Sequence, residues 1–377
     1  MMATPSETTL SDGVIDMAAR HLNAAPTDLS ITRLSGDAST RSYFRAQTAS
    51  ASVIVALYAE PFDERESAAS RLARLEAANP AIRLSFANDP CAHVEVTALL
   101  AQSGLPVPQV LNLSGRDSVL LIEDVGDIRL QDWLADHTSD DAKTAYSRAI
   151  ELIVKIQEAT GLALSAGSIC SHLAFDAAKL RWELGFFFAN YFNRFLGMRL
   201  DAATSSGVQE DFKAISAELA ARPRVLAHRD FHTRNLMMRD GEMIIIDHQD
   251  ARMGPASYDV ASLLADPYAA LDAAVARQMV ERFIELKADS TLGLEDVEEF
   301  RKELELMTVQ RMLKAIGTYS SQAAVANNPV YIPYIEPAIE RASQSMSALG
   351  RFDTTRALLE RTRRIDERFD AGKDQEM

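Results

Sequence analysis

His228-Arg229-Asp230-Phe231-His232-Thr233-Arg234-Asn235, followed by Met243-Ile244-Ile245-Ile246-Asp247, is the stretch that decides the reading of this chain. Asp230 and Asn235 stand five residues apart in a segment that follows an apolar strand, Val225 to Ala227. Asp240-Gly241 then lies between two apolar runs, the strongest short-range signal for a hairpin. Asp247 closes the second run, so its carboxylate would emerge at a strand tip. An Asp in a loop is by itself ordinarily a turn former or a cap. Asp, Asn and Asp in this order around a hairpin ask for more. Phosphoryl transfer from ATP needs one carboxylate facing the attacking hydroxyl, and an amide and a second carboxylate to hold magnesium on the phosphates. Magnesium prefers oxygen ligands completed by phosphates and water. Asp230 is therefore the candidate catalytic residue, and Asn235 and Asp247 are the candidate metal ligands, with ATP and Mg²⁺ as the implied cofactors.

The rest of the chain bounds this reading. Its 377 residues can build one large or two modest bodies with a proper core. Apolar residues make up 47% and charged residues 25%, as in ordinary globular proteins. The formal net charge of −15 disfavours nucleic acid and anionic membranes as partners, and no basic run offsets it except Arg361 to Arg364. Two cysteines, Cys91 and Cys170, offer no metal or disulfide framework and suit a reducing compartment. The polar N-terminus carries no basic-then-apolar signal, and no apolar run approaches the roughly 18–20 residues of a bilayer span. The expectation is a cytoplasmic protein with no obligate protein partner.

Periodicity divides the chain into an antiparallel strand-rich first part and a helical remainder. Short strands are expected over Ile31–Leu34, Arg41–Ala46, Ser52–Leu57, Val107–Leu111 and Ser118–Ile122, with helices over Val14–Leu22, Glu64–Ala78 and Val94–Gln102. Asn79 to Pro90 reads as irregular. Helices follow over Leu130–Ala135, Ala142–Glu158, Phe175–Leu196 and Val208–Ala220, then the strand island Val225–Asp247, then helices again. The expected fold class is α+β and bilobal: residues 1–124 as a nucleotide-binding lobe with a hinge at its end, and residues 125–377 as a catalytic and substrate-binding lobe with a charged tail. Nucleotides commonly bind in clefts between two such bodies.

His228, Arg229, Asp230 and Asn235 match the catalytic-loop pattern of protein kinases. The continuation Asp247-His248-Gln249-Asp250-Ala251-Arg252 and Tyr258-Asp259-Val260 resembles the aminoglycoside phosphotransferase family, the choline-kinase-like small-molecule kinases. That family shows His-x-Asp-x4-Asn, then Ile-Asp-x-x-Asp/Glu-Ala, then Tyr-Asp-hydrophobic. The resemblance covers most of the chain. It implies a protein-kinase-like fold and phosphorylation of a hydroxyl on a small molecule. A narrower similarity, to bacterial anomeric N-acetylmuramate and N-acetylglucosamine kinases of cell-wall sugar recycling, rests on Gly36-Asp37-Ala38-Ser39-Thr40-Arg41-Ser42-Tyr43-Phe44-Arg45, on Asp247 to Ala251, on Gln310 to Gly317 and on Tyr331-Ile332-Pro333. It implies that the acceptor is an N-acetylated amino sugar, phosphorylated at carbon 1. The insertion near Asn79–Pro90 and the N-terminal extension depart from that subgroup.

The ATP-side candidates are Gly36, Asp37, Ser39 and Thr40, which offer close backbone approach and polar donors to phosphate, together with Arg41 and Arg45. Glu123 and Val125 join them at the expected hinge. Val55-Ala56-Leu57-Tyr58 puts a tyrosine where a kinase strand carries its phosphate-pairing lysine. Either Arg41 or Arg45 supplies that charge, or the protein is a catalytically inactive nucleotide-binding regulator. Glu95 would be the missing lysine's usual partner, or a solvated helix-face carboxylate. Asp259 would brace the loop. Over Asp176–Leu196, seven aromatic residues read as core or as a sugar-binding wall. The candidate acceptor-binding residues are Glu183, Asp250, Arg252 and Arg311. His228, His232 and His248 invite a zinc reading, which the lack of a cysteine or third spaced ligand disfavours. Other acceptors (an aminoglycoside, choline, homoserine, another sugar) stay open. A protein kinase is disfavoured because Asp247-His248-Gln249 lacks the expected glycine.

Overall fold

A computed structural model describes residues 10–34 and 41–363. The candidates Gly36, Asp37, Ser39 and Thr40 lie outside the described residues.

Helix α1 (Asp12–His21) precedes a five-stranded antiparallel sheet of β1 (Ser30–Leu34), β2 (Ser42–Gln47), β3 (Ser52–Leu57), β4 (Val110–Ser114) and β5 (Val119–Glu123), in the order β1-β2-β3-β5-β4. Registers are Leu34 opposite Tyr43, Ser42 opposite Leu57 and Val53 opposite Glu123. Side chains alternate across the sheet, as the period of two requires. Phe44, Ala46, Val53, Val55, Val119 and Leu121 pack under Val14, Met17 and Ala18 of α1. Ala56, Leu120 and Ile122 point the other way, into the main core with Val96, Leu99 and Leu100.

Between β3 and β4 come α2 (Ala68–Ala78) and α3 (Pro90–Gln102). Helix α3 starts four residues before its expected start because Asp89 caps it, accepting from Ala92 N at 3.0 Å, and Pro90 takes the first turn, where a missing N–H costs nothing. The expected irregular stretch Asn79–Pro90 contains one helical turn, Ile82–Ser85. Strand β4 begins at Val110 rather than Val107, since Pro106 and Pro108 have no N–H for a ladder.

The helical remainder includes α4 (Ser139–Glu158) and α5 (Ala177–Phe187), with the strands β6 (Arg224–Ala227), β7 (Leu236–Arg239), β8 (Glu242–Ile245) and β9 (Arg252–Pro255) inserted before α6 (Ser257–Leu264) and the 28-residue α7 (Val297–Ala324). Strands β7 and β8 form the expected hairpin, with Asp240 (φ 52°) and Gly241 (φ 81°) both left-handed as its two-residue turn requires. The expected single helix to Leu196 widens at Phe188 into π geometry through Phe195. That winding turns Phe187, Tyr191 and Phe192, all fully buried, onto one packed face. Helix α7 runs through the middle of this core. Gly317 lets it pass α5 closely: a Cβ there would stand 2.6 Å from Phe187 Cα.

Candidate active site

Strand β6 pairs with β9 and delivers the chain into the His228–Asn235 loop. Phe231, fully buried, pins the loop to the core. Asp259, at the start of α6, accepts from the backbone N–H groups of His228 (2.7 Å) and Arg229 (3.0 Å), which makes it the brace that its position suggested. Arg229 is held at φ 90°, a conformation costly for a side chain and kept here by those bonds. Asp266 secures the far end, accepting from Thr233 N (2.9 Å) and Thr233 Oγ1 (2.6 Å).

Asp230, Asn235 and Asp247 line one cleft of about 170 Å³. Asn235 Nδ2 donates to the Asp230 carbonyl at 2.9 Å, which fixes the amide and leaves its oxygen as the acceptor. Asp247 follows β8 in a left-handed conformation, φ 60°. Its Oδ1 accepts from Arg41 Nη2 (2.6 Å) and Gln249 Nε2 (3.1 Å). Asp230 Oδ1 accepts from Lys314 Nζ (2.5 Å) and Arg311 Nη2 (3.0 Å), both on α7. Burial works to raise the Asp230 pKa, but Lys314, Arg229 and Arg311 outweigh it and hold the carboxyl well below its usual range. At Asp247 burial acts in the same upward sense, and Arg41 reverses it.

The cleft's outer wall is aromatic. Tyr319 and Tyr331 stack at 5.8 Å between ring centroids, Tyr268 meets Tyr319 edge-on at 5.6 Å, and the Arg234 guanidinium lies 3.9 Å over the Tyr268 ring. On the opposite side, Val125, Met237 and Ile244 form a small buried cluster extended by Ile246, beside the end of β5. Glu123 pairs with Arg239 at 2.8 Å.

Several expected site residues take other duties. Arg45 grips Asp124 (2.6 Å) and Asp127 (2.8 Å), fastening β2 to the chain just after β5. Glu183 does not line the cleft. It is buried in the core, accepting from Gln310 Nε2 at 2.8 Å and facing Lys179 at 3.4 Å. Asp250 sits behind the loop, bridged to Arg229 at 2.8 Å and accepting from Asn88 N at 2.9 Å. Arg252 is fully buried and donates to the carbonyls of Phe86 (3.2 Å) and Asp250 (3.3 Å). Of the four acceptor-side candidates, Arg311 alone lines the cleft. Of the aromatic run of α5 and its π extension, Phe187, Tyr191 and Phe192 are core and Trp182 is exposed, and none of the run lines the cleft. Glu95 partners no cation at the cleft; it accepts from Ala68 N (3.3 Å) and Ile169 N (2.5 Å), at the starts of two helices. Tyr58, in the lysine slot, is buried with its hydroxyl 2.7 Å from His93 Nδ1. The three histidines are dispersed: His228 contacts the Ile246 carbonyl, His232 meets Tyr268 edge-on and His248 contacts Thr97.

This arrangement agrees with the sequence relationships. The sequence profile of the phosphotransferase enzyme family, the aminoglycoside phosphotransferase type, matches residues 30–290. The chain belongs to this family. Over 265 residues it is 29% identical to the N-acetylmuramate/N-acetylglucosamine kinase of Pseudomonas aeruginosa, covering 68% of this chain and 75% of that protein. The corresponding kinase of Pseudomonas putida is 28% identical over 304 residues, 80% of this chain and 79% of that one. In three dimensions the chain resembles an ADP-bound aminoglycoside phosphotransferase with a TM-score of 0.51 at 12% identity, over 90% of this chain and 99% of that one. The fold is the bilobal protein-kinase-like one, and the protein is a kinase with a hydroxyl acceptor.

Sequence reasoning missed three features of this phosphotransferase site: Lys314, Asp266 and the tyrosines at 268 and 319. Lys314 did carry a signal, since it lies three residues after Arg311 and therefore on the same helix face. Tyr268 and Tyr319 carried none, because neither lies in a motif and only the packing of α7 brings them to Asp230.

Proposed function

We propose that this kinase phosphorylates the anomeric hydroxyl of an N-acetylated amino sugar, of the N-acetylmuramate/N-acetylglucosamine kind. The observation that carries the reading is the cleft beside Asp230, where two cations, Arg311 and Lys314, and a tyrosine wall face the acceptor's place. Arg311 and Lys314 offset the carboxylates of the same cleft, Asp230, Asp247 and Asp266, so the acceptor's place is not the strongly anionic one that would draw choline or an aminoglycoside. A pyranose ring would lay its apolar face on tyrosine and direct its hydroxyls to the charged groups. The names of the curated relatives support the same acceptor class.

In this reading Asp230 orients the acceptor hydroxyl. The hydroxyl oxygen bonds to the γ-phosphorus while the bond from that phosphorus to the β–γ bridging oxygen breaks. The proton goes to Asp230, and ADP leaves. A carboxylate held well below its usual range is a weak base. It suits a hemiacetal hydroxyl, which is more acidic than an ordinary alcohol, and a loose transition state asks little of the base. Asn235 Oδ1 and the Asp247 carboxylate form an all-oxygen donor set of the kind a hard divalent cation takes, and these two residues would hold Mg²⁺. Bound there, magnesium would neutralise charge on the phosphates. Arg41, resting on Asp247, is the cation that serves the phosphates in place of the missing lysine. Val125, Met237 and Ile246 offer the adenine an apolar slot, with the backbone at Glu123 and Val125 along its edge.

The test is turnover of Mg-ATP with a panel of sugars, amino sugars, aminoglycosides and amino alcohols, following ADP release and the phosphorus NMR of the product. An acid-labile sugar-1-phosphate from N-acetylglucosamine or N-acetylmuramate is the expected product. Turnover of choline or an aminoglycoside with none of the sugars would overturn the acceptor assignment. ATP binding with no transfer to any acceptor would favour the inactive regulator.

A further inference from the structure

The cation that β3 lacks has a counterpart on the other side of the cleft. Tyr58 occupies the lysine slot, and Arg45 is fastened to Asp124 and Asp127. Lys314 comes from α7, reaches into the cleft and places Nζ 2.5 Å from Asp230 Oδ1. Its neighbour one turn earlier, Arg311, is tied at both ends: Nη1 donates to Tyr258 Oη (2.8 Å) and Nη2 to Asp230 (3.0 Å). Asp230 is the Lys314 ammonium's one hydrogen-bonding partner among the described residues. So Arg311 is a fixed strut, whereas Lys314 is a flexible chain with a compact charge free to change partner. An acceptor hydroxyl poised for transfer sits about 2.6–3.2 Å from the same carboxylate. Its oxygen then lies about 3–3.5 Å from phosphorus in a near-attack arrangement. Whatever occupies the ammonium's present place on Asp230 therefore stands beside the phosphoryl group.

We propose that Lys314 is a catalytic residue whose ammonium moves from Asp230 onto the equatorial oxygens of the transferring phosphoryl group when the acceptor hydroxyl binds. The proposal rests on the kinase reading above but not on the identity of the acceptor. Phosphoryl transfer spreads negative charge over those oxygens in its transition state. With Arg41 on the metal-side carboxylate, Lys314 supplies the positive charge from the acceptor side. Burial pulls its amine down to about 8 and Asp230 works to raise it, so on leaving Asp230 the ammonium needs another anion beside it, which the phosphoryl oxygens supply. Until the acceptor arrives, the ammonium satisfies Asp230 and occupies the hydroxyl's position, which also disfavours attack by water.

The test compares full-length wild type with Lys314→Met and Lys314→Arg, measuring kcat and KM for ATP with N-acetylglucosamine, and, with N-acetylglucosamine present, the affinities for Mg-ADP with and without aluminium fluoride, a planar phosphoryl mimic. Lys314→Met should lose about 10²–10³-fold in kcat, as when one preorganised donor is removed, with KM for ATP held within about threefold. It should bind Mg-ADP as wild type does, which also shows it folded, while its fluoride complex weakens by about tenfold or more. Lys314→Arg should recover part of both losses. A Lys314→Met enzyme with kcat within about threefold of wild type, or equal weakening of both nucleotide complexes, would overturn the proposal. Should wild type turn over no sugar at all, the acceptor reading falls, and the same comparisons made with the acceptor that the panel does identify decide Lys314.

Discussion

At Asp230 three cations converge, Lys314 at 2.5 Å, Arg311 at 3.0 Å and Arg229 at 3.7 Å. Such a carboxylate contributes orientation more than basicity. Asp230→Ala should cut the chemical rate by roughly 10²–10⁴ while leaving KM for ATP nearly unchanged, because the residue faces the acceptor. Undiminished kcat would sink its assignment. Arg41, just before β2, and Arg45, within it, should separate cleanly. Arg41→Ala should raise KM for ATP by about tenfold, the loss of one charge-assisted contact to phosphate. Arg45→Ala should leave KM within about threefold and instead lower the melting temperature, since Arg45 is engaged by Asp124 and Asp127 and fastens β2 to the chain after β5. The reverse pattern in steady-state kinetics would exchange their roles. At this scale the sequence was most informative where spacing alone imposes geometry. Asp230, Asn235 and Asp247 were legible because a loop and a hairpin bring them together locally. The places of Glu183, Asp250 and Arg252 were not legible, because a polar residue near a motif looks alike whether it faces the cleft or props the loop from behind.

Elements were legible to the extent that local chemistry sets them. The Asp240-Gly241 hairpin and the alternating strands are local, and they formed as expected. The start of α3 was readable in Asp89-Pro90, a cap followed by a residue suited to the first turn, yet apolar periodicity alone pointed to Val94. The π winding of Phe188–Phe195 was not readable, since it answers to the fit of buried rings against α7. Gly317 is where that fit is tightest. Gly317→Ala would drive a Cβ to 2.6 Å from Phe187 Cα and 3.0 Å from its nitrogen, backbone atoms that cannot turn aside. Overpacking of about 1–3 kcal/mol should exceed the helix-propensity gain of about 1 kcal/mol, and the melting temperature should fall. Gly185→Ala on α5 is the internal control: nothing lies within 4 Å of its would-be Cβ, so propensity acts alone and stability should hold or rise. A Gly317→Ala protein melting at or above wild type would mean that α5 and α7 give way more easily than their packing implies. Because Lys314 is one turn from Gly317, the variant should also lose activity beyond what its stability explains.

Over the whole molecule, the sign of the charge misleads when it is averaged. The chain carries −15, which suits a cationic acceptor as well as a neutral one, while the cleft gathers Arg41, Arg311 and Lys314 about two carboxylates. Net charge speaks to solubility and long-range steering, not to a site a few ångströms across. The two lobes meet at that site through Arg41, just before β2, and Asp247 after β8, and through Arg45 and Asp127 beyond β5. A ligand that binds between them should stabilise both. Mg-ADP at about 100 times its Kd would add about 2.7 kcal/mol to the folded state. Part of that gain should depend on magnesium, because Asp247 has to exchange Arg41 for the metal. Asp247→Asn keeps the shape and a hydrogen-bond acceptor for Arg41 but removes the charge a divalent cation needs. Melting curves of both proteins with ADP alone, and with ADP plus magnesium, isolate the metal's share. The wild type should melt higher still when magnesium is added to ADP, whereas Asp247→Asn should show the nucleotide shift and no further increment. If the variant gains as much from magnesium as the wild type does, the metal is held elsewhere, and Arg41 rests on Asp247 for structural reasons alone.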